Sequence, residues 1–383
     1  MKALFSFLLF MLSALGFGQT NVSGAISSDT TWSLSNSPYT VTGSVLISDG
    51  VTLNIEAGSI INFSDDYKIL VKGNIISSGT SDSIITFNGN SSEGSSQMII
   101  FKSTNLSNST ITYNVFNGPQ KAIQLADESE GNEDSTKNSG ILTVTYSDFN
   151  NAGIYTKGYS TSAELKFENS TFDDLTIKGY YPRTEPITFT NCVINNSNIN
   201  SDSYNYGIKI YYSNVLNSSF TIGCCGANFL IDNSTIYNSP FTDYNNNYEV
   251  LINKSLIINS PLNLPSGNLI ITNSIISFNG FDTSIGVNTR KATISNSLIS
   301  GNGAGTGLKM NSYSNYSSTI SNSTLINSST SVLLEGNNGT YDFSNSNLHN
   351  NQTYNVDNNS DQEIFAENNY WGTVIESEIQ DLI

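Results

Sequence analysis

Short apolar stretches with alternating polar residues recur along most of the chain. The stretch 269–280, LIITNSIISFNG, shows the unit: apolar residues, an Asn-Ser step, two isoleucines and an Asn-Gly turn. Similar stretches begin at Leu165, Ile187, Phe229, Val250, Ala292 and Ser318. Alternation with a period of two is typical of strands that bury one side. The chain is therefore predicted to consist of many short β-strands.

The Asn of the polar step returns at a nearly constant interval. The gaps are 22, 23, 19, 20, 20, 23, 26 and 23 residues between Asn169, Asn191, Asn214, Asn233, Asn253, Asn273, Asn296, Asn322 and Asn345. A β unit repeating at this interval predicts an all-β solenoid, in which each repeat is one coil. We expect these asparagines at a corner, adopting left-handed backbone and bonding amide to amide between coils.

The pattern predicts that the chain is divided into four segments. Residues 1–18 place one Lys before an apolar run and small residues, as in a secretory signal peptide. Residues 19–44, which include Trp32, are predicted to cap the first coil, and residues 45–371 to form the coils. In the segment 372–383 the apolar residues are spaced nearly as on one side of a helix, so this segment is predicted to be a capping tail. No later stretch is long and apolar enough to span a membrane, so an exported protein is expected.

Two stretches resemble a known family. Residues 50–63, GVTLNIEAGSIINF, and 68–80, KILVKGNIISSGT, look like the opening coils of right-handed parallel β-helix proteins secreted by bacteria, notably of the Bacteroidetes type. Residues 366–373, AENNYWGT, are similar to the closing motif of many such helices. The resemblance implies a single-stranded right-handed parallel β-helix of pectate-lyase-like architecture. It implies little about activity, because this scaffold carries lyases, hydrolases, adhesins and proteins with no assigned activity.

The net charge of the chain restricts its possible partners. The chain has 15 basic and 32 acidic residues, a formal net charge of −17, which argues against nucleic acid or an anionic membrane surface as a partner.

The three cysteines, Cys192, Cys224 and Cys225, do not form a disulfide framework. Cys192 follows Asn191 where sister coils have Ser, so a packed free thiol is expected there.

One acidic run interrupts the repeat, at 126–140. Its carboxylates are Asp127, Glu128, Glu130, Glu133 and Asp134. Carboxylates can bind calcium, and loops inserted at one edge of a solenoid often carry binding functions. The run lacks an EF-hand or a glycine-spaced calcium repeat, so a solvated loop without metal is the favoured interpretation. We expect no obligatory cofactor, with calcium as the alternative.

The middle coils are rich in tyrosine. Exposed Tyr rings can stack on sugars while their hydroxyl groups form hydrogen bonds, whereas Tyr in strands can also simply pack in rows. The candidate ligand-binding residues are Tyr180, Tyr181, Tyr211 and Tyr212. The loop GYYPRTEP at 179–186 is the most ligand-like piece, and residues 301–316 are a further interruption of the repeat.

An enzyme of this architecture would need acid and base groups. The candidate catalytic residues are Asp173, Asp174, Lys178 and Arg183, since carboxylate pairs suit glycoside hydrolysis and Lys or Arg can abstract a proton. In polygalacturonase-like families such a pair is accompanied by further Asp, His-Gly and Arg-x-Lys motifs, and none accompanies this one. The sequence therefore favours a non-enzymatic protein.

These observations give two functional hypotheses and a weaker third. The first is a secreted or cell-surface, monomeric protein that binds glycans or another surface without catalysis. The alternative is a polysaccharide lyase or glycoside hydrolase acting on an acidic polysaccharide. A structural spacer is the third.

Overall fold

The computed structural model describes residues 18–90, 97–118, 121–125, 138–157, 162–180, 186–202, 207–223, 228–243, 248–278 and 284–383. Within these ranges it describes the backbone alone at 157, 162, 178–180, 201–202, 312–315 and 337–338. The predicted signal peptide therefore lies outside the described residues, except for Gly18.

The described chain is almost entirely β-structure, with two short 3-10 helices, Leu34–Asn36 and Leu106–Asn108, and one α-helix, Glu376–Gln380 (α1). The strands, in chain order, are β1 (Thr20–Ile26), β2 (Thr30–Trp32), β3 (Tyr39–Ile47), β4 (Thr52–Ile55), β5 (Ile60–Phe63), β6 (Ile69–Val71), β7 (Asn74–Ser78), β8 (Ile85–Asn88), β9 (Gln97–Phe101), β10 (Thr110–Thr112), β11 (Asn114–Asn117), β12 (Lys121–Leu125), β13 (Ser139–Thr145), β14 (Asp148–Asn150), β15 (Gly153–Lys157), β16 (Ser162–Glu168), β17 (Thr171–Asp173), β18 (Thr176–Tyr180), β19 (Ile187–Thr190), β20 (Val193–Asn195), β21 (Asn198–Asp202), β22 (Ile208–Tyr211), β23 (Asn214–Leu216), β24 (Ser219–Ile222), β25 (Asn228–Asp232), β26 (Thr235–Tyr237), β27 (Phe241–Asp243), β28 (Glu249–Asn253), β29 (Leu256–Ile258), β30 (Leu262–Thr272), β31 (Ile275–Ser277), β32 (Ile285–Ser295), β33 (Leu298–Ser300), β34 (Thr306–Ser321), β35 (Thr324–Ile326), β36 (Thr330–Asp342), β37 (Asn347–His349), β38 (Tyr354–Asn358) and β39 (Ile364–Phe365).

These strands form a parallel β-solenoid of about 12 turns, which confirms the predicted fold class. Each full coil contributes one strand to each of three faces. In the middle of the chain the first face contains β13, β16, β19, β22, β25 and β28. The second face contains β14, β17, β20, β23, β26 and β29, and the third contains β15, β18, β21, β24 and β27. The long strands β30, β32, β34 and β36 run from the third face around the corner into the first.

The core runs along the solenoid axis because every strand buries alternate residues. In β16, for example, Ala163, Leu165 and Phe167 are buried. Parallel register places like residues on top of one another, so that aromatic rings stack from coil to coil. Stacked pairs with ring centroids 4.9 Å apart join Phe87, Phe116, Phe149 and Phe172 in succession. Such contacts stabilise the stack beyond simple burial.

A residue with left-handed backbone marks the corner between the first and second faces, which we call the first corner. Its occupants have φ between 47° and 60° and are Tyr113, Tyr146, Asn169, Asn191, Tyr212, Asn233, Lys254, Asn273, Asn296, Asn322, Asn345 and Asn368. Asn is the natural choice because it tolerates this conformation better than most residues. The predicted corner positions of Asn214 and Asn253 are wrong, since Tyr212 and Lys254 hold the corner in their coils.

The coils are joined at this corner by serine rather than by the predicted asparagine amides. The serine after the corner residue is buried, and its hydroxyl oxygen accepts the backbone N–H of the equivalent residue in the preceding coil. Ser213 N–H donates to Ser234 Oγ at 3.1 Å, and Ser234 N–H to Ser255 Oγ at 3.1 Å. Each hydroxyl also donates to a carbonyl two residues earlier, as Ser234 does to Asp232 O at 2.8 Å. The buried hydroxyl is therefore satisfied both as acceptor and as donor.

Asparagine amides do bond between coils, mainly at strand positions and also at the corner after the second face, where Asn238 Nδ2 donates to Asn217 Oδ1 at 3.4 Å. Nδ2 of Asn88, Asn117 and Asn150 each donates to Oδ1 of the asparagine one coil earlier, at 2.9, 3.0 and 2.9 Å, starting from Asn62. Asn263, Asn288 and Asn311 form a second series, at 3.0 and 2.6 Å. Parallel, in-register stacking of identical amides explains both series.

Cys192 occupies a serine position of the first-corner ladder, and the structure confirms a buried free thiol. Its backbone N–H donates to Ser213 Oγ at 2.9 Å. Burial raises the pKa of the Cys192 thiol to about 11, against the smaller lowering effect of backbone hydrogen bonds from neighbouring residues. Cys224 and Cys225 lie outside the described residues.

The C-terminal tail returns to the last coil. Leu382 O accepts the backbone N–H groups of Asn355 and Val356 at 2.8 and 3.2 Å, and Ile379 of α1 packs against the core. Val374 and Ile375 remain exposed. The predicted boundaries of the cap and tail segments stay predictions.

Candidate functional site

The structure places Asp173 and Asp174 next to each other where the second face ends, and the backbone of Lys178 on the third face. Asp173 is exposed at the end of β17 on the second face, and its Oδ1 accepts hydrogen bonds from Asn195 Nδ2 at 3.1 Å and Asn196 Nδ2 at 3.0 Å. Asp174 is exposed at the next corner, with φ of 53°. Lys178 belongs to β18 on the third face, in register with Tyr155 and Asn200. Two amide donors satisfy Asp173 as part of the scaffold.

Several candidates fall outside the described residues. These are Arg183 and Tyr181 of the loop at 181–185, and the possible calcium ligands Asp127, Glu128, Glu130, Glu133 and Asp134. Tyr180 is described only by its backbone, in β18, in register with Lys157 and Asp202. Their roles stay predictions.

The described ranges contain neither a ready metal site nor a membrane-spanning helix. No group of three His, Cys, Asp or Glu side chains in these ranges is arranged to hold a metal ion. No helix of the described chain has the length and apolar character needed to cross a membrane.

The remaining candidates, Tyr211 and Tyr212, lie at the end of the first face. Tyr211 is half-buried at the end of β22, while Tyr212 occupies the first corner and is 60% exposed. Burial raises the pKa of Tyr211, and the carboxylates of Asp232 and Glu164 raise it further. The Tyr211 hydroxyl is therefore a protonated, neutral hydrogen-bonding group at physiological pH.

Tyr212 belongs to a series of tyrosines at the first corner, which we call the tyrosine column: Tyr113, which is half-buried, and the exposed Tyr146 and Tyr212. The register of β10 with β13 aligns Thr112 with Thr145 and hence Tyr113 with Tyr146. Their rings stack with centroids 4.8 Å apart and planes at 8°, and Tyr146 is 50% exposed. All three residues have left-handed backbone, with φ of 51°, 49° and 50°. The column therefore presents the stacked pair Tyr113–Tyr146 and, separately, the exposed ring of Tyr212.

Polar groups border the tyrosine column on both sides. On the first face, Thr145 Oγ1 donates to Thr112 Oγ1 at 2.7 Å, directly before the stacked rings. On the second face, the Thr171 hydroxyl donates to the Asp148 carboxylate. A flat aromatic surface beside hydroxyl and carboxylate groups is the arrangement that binds the apolar face and the hydroxyl groups of a sugar.

The surroundings of the tyrosine column are acidic. Outward positions of the coils from Tyr113 to Asn233, on both adjoining faces, hold six carboxylates and two lysines. These are Asp148, Glu164, Glu168, Asp173, Asp174 and Asp232, with Lys166 and Lys209. Lys166 Nζ is 3.2 Å from Glu164 Oε2, so this ammonium group is already paired. The site therefore carries a negative local charge.

Sequence reasoning found Tyr212 but missed Tyr113 and Tyr146 as ligand candidates. The signal was present, because Tyr113 and Tyr146 both precede a polar residue and a short apolar strand, as the corner asparagines do. Only the backbone conformation shows that all three tyrosines take the place of a corner asparagine.

The sequence matches no protein-family model and no curated protein sequence. Among solved structures, the chain is similar to tailspike protein 3 of bacteriophage CBA120, at 10% identity and a TM-score of 0.47, over 86% of this chain and 55% of the tailspike. It is also similar to the PL6 family alginate lyase AlyGC, at 13% identity and a TM-score of 0.41, over 86% of this chain and 50% of that enzyme.

A third similar structure is a mannuronic acid specific polysaccharide family 6 lyase from human gut microbiota, at 9% identity and a TM-score of 0.40, over 95% of this chain and 90% of that one. The chain spans about half the length of the first two proteins. Identities and TM-scores this low carry no conclusion about activity or ligand.

Proposed function

We propose that this protein is an exported, non-catalytic glycan-binding β-solenoid that contacts its ligand through the tyrosine column. The observation that carries the proposal is that tyrosine holds the corner at Tyr113, Tyr146 and Tyr212, and that Tyr146 and Tyr212 are exposed there. The apolar run at the N-terminus of the sequence supports export.

Energetics argue against a purely structural role for these rings. A bulky residue with left-handed backbone costs about 1–2 kcal/mol, and Tyr146 and Tyr212, which are 50% and 60% exposed, bury only part of their surface in return. Stacking between Tyr113 and Tyr146 returns about 0.5–1.5 kcal/mol, and Tyr212 has no equivalent stacked ring among the described side chains. Strain kept at an exposed position is typical of functional residues.

Binding without catalysis is supported by the position of Asp173 on a different face from Lys166 and Lys209, two basic residues whose side chains the structure describes. Lys166 and Lys209 project from the first face, whereas Asp173 lies on the second and is held by two amides. A general acid and base need to meet across one scissile bond.

A glycan array with the purified mature chain tests the proposal. We expect binding to a defined subset of glycans, strongly reduced in the double variant Tyr113→Ala/Tyr146→Ala. Tyr354→Ala, which removes an exposed tyrosine in β38 far along the solenoid, is the matched control and should bind like the wild type.

Two results would count against the proposal. One is an array on which the wild type binds nothing, or on which the double variant binds as well as the wild type. The other is release of reducing ends or unsaturated sugars from polysaccharides, which would instead support the lyase or hydrolase alternative.

A further inference from the structure

The tyrosine column runs along the solenoid axis, because its members stand at the same corner of different coils. Asn169 and Asn191 occupy the two corner positions between Tyr146 and Tyr212, and both are exposed. Three coil steps at about 4.8 Å place Tyr212 roughly 14 Å from Tyr146 along the solenoid axis. The corner side chains between the two aromatic positions are thus short, exposed amides.

This arrangement offers two aromatic contacts separated by hydrogen-bonding groups. The stacked pair Tyr113–Tyr146 forms one contact and Tyr212 the other, with the amides of Asn169 and Asn191 between them. A single sugar ring can use only one of these contacts. A chain of sugars lying along the axis can use both.

The charge around the column selects among such chains. The six carboxylates near the tyrosine column outnumber the two lysines, and the whole chain has a net charge of −17. Asp148, Glu164, Glu168, Asp173 and Asp174 belong to two successive coils. These coils are about 4.8 Å apart along the axis, which is less than the Debye length of about 8 Å at physiological ionic strength, so the repulsion of a polyanion is incompletely screened. Five of the six carboxylates belong to the coils of Tyr146 and Asn169, so a glycan rich in carboxylate or sulfate groups would meet like charge at this end of the column.

Resting on the function proposed above, we infer that the ligand is a linear glycan without negative charge, bound parallel to the solenoid axis across Tyr146, Asn169, Asn191 and Tyr212. Neutral and amine-bearing oligosaccharides fit this description. Acidic polysaccharides, the substrate class expected for the enzymatic alternative, do not.

Isothermal titration with oligosaccharide series tests length and charge together. The probes are cello-, manno- and chito-oligosaccharides of two to six units, with oligogalacturonates of matched length. We expect affinity for at least one neutral series to rise about tenfold or more between two and six units, and oligogalacturonates to bind at least about tenfold more weakly than that series.

Substitution of Tyr212 or of Tyr146 tests the two aromatic contacts separately. Tyr212→Ala should weaken binding of the six-unit probe about tenfold and leave the two-unit probe within about twofold, because the shorter probe does not reach it. Tyr146→Ala should weaken both. Asp148→Asn/Glu168→Gln, which keep their hydrogen-bond acceptors, should raise the affinity for oligogalacturonate, with a smaller effect at high salt.

The outcomes distinguish this inference from the proposed function. If no glycan binds, both fail. If glycans bind but affinity is independent of length, or Tyr212→Ala affects all lengths equally or none, the axial placement is overturned while glycan binding stands. Equal or tighter binding of oligogalacturonate overturns the charge selection.

Discussion

At the scale of single residues, the first corner holds either asparagine or a residue that is less suited to left-handed backbone. Asn169, Asn191 and their equivalents provide a residue suited to left-handed backbone, whereas Tyr113, Tyr146 and Tyr212 accept the strain. The difference between these coils lies in what is presented to solvent, since the residue that follows is buried in either case.

Replacing Tyr146 by Asn restores the usual corner residue. Relief of about 1–2 kcal/mol of backbone strain offsets the loss of about 0.5–1.5 kcal/mol of stacking with Tyr113. We therefore expect the free energy of unfolding, measured in urea, to change by less than about 1 kcal/mol, while glycan binding is strongly reduced. A destabilisation of more than about 2 kcal/mol would show that the ring is mainly structural.

Because of Cys192, the free energy of unfolding is expected to depend on pH in the alkaline range. The thiol of the unfolded chain ionises near the ordinary cysteine pKa of 9.0, whereas burial raises the pKa of the folded thiol to about 11. The unfolded chain therefore loses its proton first, so that this contribution is complete below pH 9 and is lost as pH rises towards 11. Two pKa units correspond to roughly 2–3 kcal/mol.

The variant Cys192→Ser removes this titration and keeps a ladder residue that sister coils use. We expect its unfolding free energy, measured in urea between about pH 8 and pH 11, to fall less than that of the wild type as pH rises. Parallel curves for the two proteins would contradict a buried, neutral thiol.

At the scale of structural elements, the serine ladder joins one coil to the next. Ser234→Ala leaves the buried N–H of Ser213 without its 3.1 Å acceptor, and an unsatisfied buried group costs about 1–3 kcal/mol. Ser295→Ala, on the outward side of β32, is the matched control and should change stability by less than about 0.5 kcal/mol. Equal effects of the two changes in thermal unfolding would show that the ladder contributes nothing specific.

The repeat itself could be predicted, because alternating apolar residues and a constant interval suffice to indicate coils. The corner could be predicted only in part. An Asn lies near the corner without occupying it in NYGIKIYYSNVL, around Tyr212, and in LINKSLII, around Lys254. The sequence alone does not show whether this Asn or its neighbour holds the corner. Which serines are buried also depends on the stacking register, which is a property of neighbouring coils.

At the scale of the whole molecule, the solenoid converts a sequence repeat into columns of identical groups. Phenylalanines align in the core, serines at the corner and asparagines on the faces, each through the same parallel register. The tyrosine column arises from the same parallel register, at the surface rather than in the core. Its position could not be predicted from tyrosine content, because Tyr248 and Tyr341 are buried and Tyr211 is half-buried.

The most direct measurement is a crystal structure of the mature chain with a bound neutral oligosaccharide from the series that binds most tightly. We expect one sugar ring against Tyr146, and the chain of sugars running along the solenoid axis towards Tyr212. A sugar bound on the third face, or across the axis without contact to either tyrosine, would contradict the account.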